Sequence, residues 1–274
     1  MKNNKRAIAV MIVVILLMSV LSGCSGAPKA SGEVIIGYVG PLTGPSATMG
    51  LATRQGAELA IEEINAAGGV LGHRIITTVG DDECDPAKAT AAASKLVSEE
   101  VVAVVGGYCS GATLPTLNIY GDAGVPTVVA AANATSLVEE NPGWTFMINS
   151  TGDMQAENAI VWFEMQGVET IGLIDDGSAF ATDLKMLTKS QWEAKGKEVL
   201  TDDTVTVGEQ DFSALVTSII QASPDGIYWT AYHAEGALIV RQLREAGYEG
   251  VIIVADGTSA PAFIELAGEY AEGV

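Results

Sequence analysis

Apolar residues recur along the chain in two alternating spacings. Val34–Val39 is a run rich in branched residues that Gly40 and Pro41 stop. From about Met49 to Ala67 the apolar positions Leu51, Ala57, Ala60, Ile61 and Ile64 keep helical spacing, and Gly68-Gly69 ends them. The alternation continues with a strand at Ile75–Val79, a helix at Pro86–Val97 and a strand at Val101–Val105. A helix at about Ala112–Asp122 and a strand at Val125–Ala130 follow. After a short strand near Trp144–Ile148 the pattern restarts. Helices are predicted at Ala156–Gln166, up to about Lys195, from Asp211 as cap to Gln221, at Glu235–Ala246 and from Pro261. Strands are predicted between them at Thr170–Ile174, Glu198–Val207, Gly226–Thr230 and Val251–Val254. Continuous apolar strands alternating with amphipathic helices predict an α/β fold with parallel sheets. Two such runs predict two lobes, residues 33–148 and 149–274.

The N-terminus breaks this pattern. Lys2, Lys5 and Arg6 precede an apolar run, Ala7–Leu21, that is shorter than the roughly 20 residues needed to span a bilayer. Residues 1–24 therefore read as a signal peptide. It ends in Leu21-Ser-Gly-Cys24, which resembles the lipobox of secreted lipoproteins and implies lipidation of Cys24. The small, polar residues 25–32 read as a flexible tether.

Composition narrows the function. Of 274 residues, 48% are hydrophobic and 18% charged, enough apolar residue for buried cores. The net charge of −20 repels phosphate backbones, so no nucleic-acid partner is expected. Three Cys and two His leave little for a metal cage, and neither a metal nor a cofactor is expected. No phosphate-binding glycine motif follows the first strand.

In open α/β sheets ligands bind beyond the carboxyl ends of strands, so the residues after the strands carry the chemistry. Asp81-Asp-Glu-Cys84-Asp-Pro86 follows the second strand and Gly106-Gly-Tyr-Cys109-Ser-Gly111 the third. With Cys24 lipidated in an exported protein, Cys84 and Cys109 are expected to form a disulfide, two free buried thiols being the alternative. Ser110 and Asn133 offer donors for a carboxylate, or are plain capping and turn residues. Asp256, after a later strand, offers an acid for an ammonium, with the ring of Tyr232 beside it. Together these groups match the two poles of a zwitterionic amino acid. A rival reading takes Gly107-x-Cys109-x-Gly111 as a nucleophile elbow, with His233 as base and Asp175 or Asp176 as orienter, making a Cys-dependent α/β hydrolase.

Several stretches carry a resemblance in order and spacing: Gly40-Pro-Leu-Thr-Gly-Pro45, Gly68-Gly-Val-Leu-Gly72, Asp81-Asp-Glu-Cys-Asp-Pro86, Gly107-Tyr-Cys-Ser110, Asp211-Phe-Ser213, Tyr232-His233 and Arg241-Gln-Leu-Arg-Glu-Ala-Gly247. From Val34 to Val274 the chain resembles the branched-chain amino-acid-binding proteins of ABC transporters, of the type I periplasmic-binding-protein fold. The resemblance implies two Rossmann-like lobes joined by a hinge, and no enzymatic activity. It implies ligand contacts from Ser110, Ala131, Asn133, Tyr232 and Asp256, with Met49 and Phe180 where the family carries aromatic side-chain contacts. Asn133 departs from the family's Thr or Ser, and Asp256 from the Glu of close relatives. It further implies a monomer that passes a Leu/Ile/Val-type amino acid to a permease outside the cytoplasm, held at the membrane by a lipid anchor. Related receptors take amides, urea or aromatic acids. The family's chain returns to the first lobe after the second is complete, so the first lobe is expected to be incomplete here.

Overall fold

The computed structural model describes residues 32–274. The signal peptide, Cys24 and all of the tether but Gly32 lie outside them. Nine strands and ten helices alternate among the described residues. In the first run these are β1 (Gly32–Gly40), α1 (Ala47–Ala66), β2 (His73–Asp81), α2 (Pro86–Ser98), β3 (Ala103–Gly106), α3 (Ser110–Thr113), α4 (Leu117–Ala123), β4 (Thr127–Val129), α5 (Ser136–Glu139) and β5 (Thr145–Met147). The second run holds α6 (Gly152–Met165), β6 (Thr170–Asp175), α7 (Ala179–Ala194), β7 (Glu198–Thr204), α8 (Ser213–Ala222), β8 (Gly226–Trp229), α9 (His233–Glu245), β9 (Val251–Val254) and α10 (Pro261–Ala267). No helix among the described residues is long and apolar enough to cross a membrane.

The strands form two sheets, as the two runs predict. The first has the order β2-β1-β3-β4-β5 and the second β7-β6-β8-β9. The pairings from β1 to β3, β4 and β5, and all those of the second sheet, are parallel. By internal contacts the described chain divides into a small unit, residues 32–34 with 59–76, and a large one, residues 35–58 with 77–274. In the small unit the Asn65 side chain donates to the Ile75 carbonyl and accepts from its N–H, each at 2.8 Å, replacing a backbone pair. Both sheets place residues in the large unit.

Burial follows the apolar spacing. In the second sheet Phe163 of α6 packs edge-on against Trp192 of α7 and Tyr228 of β8, with Trp229, Ile171 and Leu243 in the same core. The first sheet has a smaller core of Val39, Leu96, Val104 and Tyr120. One predicted helix is broken. Between Ala112 and Asp122 the chain forms α3, a 3-10 turn at Leu114–Thr116, then α4. Pro115 has no N–H to give to an α-helical ladder, and the tighter turn accommodates it. Asp211 is not the N-cap of α8, a place Phe212 takes; its carboxylate accepts from the N–H of Ser213, the first residue of the helix.

The turn out of β2 buries a charge. Asp82 is 2% exposed and its Oδ1 accepts the Cys84 N–H at 2.9 Å. No ion pair joins it among the described residues, and Asp81 adds a like charge next door. Loss of hydration pushes its carboxyl up to about 6. A carboxyl raised on folding favours the folded state at low pH, and that contribution disappears as pH rises from the ordinary carboxylate range through about 6. Asp82→Asn keeps an oxygen for the Cys84 N–H. It should stabilise the chain at pH 8 by up to about 3 kcal/mol, with the gain vanishing near pH 4. Urea denaturation of both proteins at the two pH values measures this; an equal difference at both would contradict it.

Candidate functional site

The site is built from chain turns at the carboxyl ends of strands. Gly106 closes β3 at φ 133°, and a Cβ there would lie 1.9 Å from the Val39 carbonyl oxygen, so no other residue fits. The turn delivers Tyr108, Cys109 and Ser110 in succession. The sulfurs of Cys84 and Cys109 are bonded, with Cα atoms 5.4 Å apart. This bond ties the loop after β2 to the start of α3. It also occupies Cys109, which removes the nucleophile of the hydrolase reading. His233 is buried at the start of α9, its Nδ1 has no partner among the described residues, and burial lowers its pKa.

The loop after β4 is tied to the Gly106 turn. Gly107 O accepts from the N–H groups of Ala131 and Ala132 at 3.1 and 3.0 Å. Ser110 Oγ accepts from the N–H groups of Asn133 and Ala134 at 3.3 and 3.2 Å. With its lone pairs engaged, the Ser110 hydroxyl keeps one function, donation of its proton. Asn149 Nδ2 donates to Ala131 O at 2.8 Å. The backbone of Ala131 is therefore already bonded at both its N–H and its carbonyl.

One cavity of about 110 Å³ collects most of the residues named from the sequence. Met49, Ala131, Asn133, Phe180, Tyr232 and Asp256 line it, joined by Tyr108, Gly257 and Ser259. A cavity of this order accommodates a group the size of a short branched chain or a single ring. Ser110 stands apart: it is 1% exposed and lies behind the wall, where it braces Asn133. The wall is aromatic on one side. The Tyr232 ring sits 5.5 Å from Phe180 and 6.2 Å from Tyr108, both tilted. The Tyr108 hydroxyl has no partner among the described residues, and burial, with the Asp256 charge adding, pushes it up to about 12.

Asp256 is the charge of the site. It opens a 3-10 turn just past β9, where Thr258 Oγ1 anchors the loop on Ala231 O at 3.0 Å. Its Oδ2 accepts from Asn133 Nδ2 at 3.2 Å and its Oδ1 from Gln155 Nε2 at 3.1 Å. By surface area the residue is exposed, yet the protein packed around its carboxyl strips enough hydration to raise the pKa, against which the Gln155 hydrogen bond works. No Lys or Arg lines the cavity. No group of His, Cys, Asp and Glu among the described residues could hold a metal ion. The sequence reading missed Tyr108, Gly257, Ser259 and Gln155. Tyr108 and Gly257 are direct neighbours of named residues. Gln155 lies in the first turn of a helix on the far side of the chain restart, and no local pattern marks it.

A cavity at strand ends, walled by rings and holding one acid, suits a small molecule that carries a cationic group. The family described as periplasmic binding protein matches residues 33–274. The Leu/Ile/Val-binding protein BraC3 of Rhizobium johnstonii is 32% identical over 94% of this chain and 71% of its own length. Among solved structures, a leucine-binding protein of Thermotoga maritima superposes with a TM-score of 0.82 at 29% identity, over 88% of this chain and 68% of that one. The branched-chain amino acid transporter substrate-binding protein LivJ of Streptococcus pneumoniae, solved with isoleucine, gives 0.79 at 30% identity, over 86% and 68%. The chain belongs to the periplasmic-binding-protein family, whose members bind transported substrates and are not enzymes.

The Cys84–Cys109 bond closes a separation of 25 residues under this site. Replacing both by Ser should lower stability by roughly 3 kcal/mol, a loop-closure effect on the unfolded chain. Urea denaturation of the double variant measures it, and a loss below about 1 kcal/mol would contradict it.

Proposed function

We propose that this chain is an extracytoplasmic receptor that captures a branched-chain or other aliphatic amino acid and delivers it to an ABC transporter permease. Residues 33–148 and 149–274 are its two lobes. Cys24, carrying lipid, anchors it to the membrane, and it works as a monomer. The observation that carries this reading is Asp256: an acid beside a cavity whose lining holds no cation. An α-ammonium supplies the missing charge, and the Tyr232 ring adds a cation–π face. The ligand carboxylate is met from the Ser110 side, where the Ser110 hydroxyl proton is the side-chain donor not already engaged; both protons of the Asn133 amide are given to Gln155 and Asp256. Met49 and Phe180 then meet an aliphatic side chain without asking for a hydrogen bond. The names of the relatives, which bind leucine, isoleucine and valine, support the same ligand class.

Closure follows from where these groups sit. Ser110 and Asn133 belong to the run of the first sheet, Tyr232 and Asp256 to that of the second. A ligand holding both sets favours the closed arrangement by the contacts it makes to both at once. Delivery then requires only that a permease oppose that closure.

Calorimetry of the full chain against leucine, isoleucine, valine, 4-hydroxybenzoate and urea tests the assignment. The aliphatic amino acids should bind and the last two should not. Asp256→Ala should weaken amino-acid binding by about 10- to 150-fold, the range of a lost hydrogen bond to a charged group. Binding of an uncharged or purely anionic ligand that ignores the Asp256 substitution would overturn the reading.

A further inference from the structure

Three side chains from three distant parts of the chain close on one another beside the cavity. Gln155 Oε1 accepts from Asn133 Nδ2 at 3.1 Å, Gln155 Nε2 donates to Asp256 Oδ1 at 3.1 Å, and Asn133 Nδ2 also donates to Asp256 Oδ2 at 3.2 Å. The buried Tyr228 of β8 lies near Gln155, which acts on its phenol. Gln155 is half-buried in the first turn of α6 and does not line the cavity. It touches the ligand-binding acid without facing the ligand's place.

We propose that Gln155 is the positioning residue of this binding site, aiming the Asp256 carboxylate at the ammonium of an amino-acid ligand; the ligand part of this rests on the function proposed above. An aspartate side chain has a broad, weakly preferred outer torsion, so nothing intrinsic fixes its two oxygens. A carboxylate offers about four lone-pair sites. Gln155 takes one on Oδ1 and Asn133 one on Oδ2, with the backbone N–H groups of Gly257 and Asp256 also acting on the carboxyl, so protein donors fix both oxygens. The bonds are also charge-assisted, stronger to the ionised acid than to the neutral one. Gln155 thereby opposes the desolvation that pushes Asp256 toward protonation. Its neighbour Tyr228 is buried and its phenol held neutral, so no charge there competes with Asp256 for the amide. The other ionisable groups acting with Asp256 are the phenols of Tyr108 and Tyr232, both raised by burial, and Tyr232 also feels Asp176. None of the phenols changes charge between pH 4 and 8.

Gln155→Met keeps the length and removes the amide. In the full chain it should raise the dissociation constant for leucine at pH 7.5 by about 10-fold or more. It should also move the acid-side midpoint of binding to higher pH, because affinity needs ionised Asp256 and is lost as pH falls through its pKa. A purely structural residue would lower the melting temperature and leave that midpoint in place. On an Asp256→Asn background the same substitution should change leucine affinity less than about twofold, since the two residues act as one unit. A Gln155→Met protein within twofold of the parent with an unmoved midpoint, or an undiminished cost on the Asp256→Asn background, would overturn the proposal. Should the parent chain bind no amino acid, the ligand assignment fails. Gln155 is then judged by carbon NMR titration of Asp256, identified by its loss in Asp256→Asn. An upward shift in Gln155→Met supports the positioning role and an unmoved titration refutes it. If Gln155→Met does not fold, Gln155→Asn, whose shorter amide cannot span both partners, replaces it with the same expected outcomes.

Discussion

A negative charge beside a cavity with no positive side chain is the constraint on which the site turns. Taking a carboxylate out of water costs several kcal/mol unless hydrogen bonds and an opposite charge replace the lost hydration. At Asp256 two neutral amides, from Asn133 and Gln155, supply part of that replacement. Asp256 itself is exposed, so the cost arises when a ligand covers it, and an ammonium then supplies what the two amides do not. Selectivity follows from the same imbalance, because a guest without an ammonium would enclose the acid without neutralising it.

The rest of the fold serves to hold this acid opposite its partners. β9 and the 3-10 turn after it place Asp256, and the hydroxyl of Thr258 pins that turn. On the other side the Gly106 turn, the disulfide and the bonds from Gly107 and Ser110 fix the loop after β4 that carries Asn133. Ser110 is a brace: the bonds it accepts from the N–H groups of Asn133 and Ala134 shape the loop. The buried Asp82, its carboxyl raised, lies in the turn out of β2 and accepts from the N–H of Cys84, which the disulfide joins to Cys109. Trp192 and Phe163 belong to the core of the second sheet and Leu96 to that of the first, apart from these loops.

How far the chain could be read beforehand depended on how local each signal was. The strands were legible because Val101–Val105 or Val251–Val254 has no alternative to burial, and the helices because Gly68 or Gly247 ends a 3.6-residue pattern. The break at Pro115 was readable in principle but was smoothed over by the apolar spacing on either side. Asp256, Tyr232, Asn133 and Ser110 stood out because each follows a strand. Ser110's burial behind the wall was not legible, since the two backbone groups it accepts from lie more than twenty residues away. Gln155 was invisible for the same reason at larger scale: its partner Asp256 is 101 residues distant, and only the juxtaposition of the two runs brings them together. Met49 and Phe180 came from family likeness, and their place in the wall has no signature in composition or periodicity.

The central claim is that both poles of a zwitterion are held, one by the Ser110 side and one by Asp256. The most direct measurement compares leucine with two molecules of the same shape that each lack one pole, 4-methylpentanoate and 3-methylbutylamine, by calorimetry at pH 7.5. The account predicts that leucine binds and that each one-ended analogue is weaker by two orders of magnitude or more. Binding of 4-methylpentanoate as tight as leucine would show that Asp256 meets no ammonium, and would contradict it.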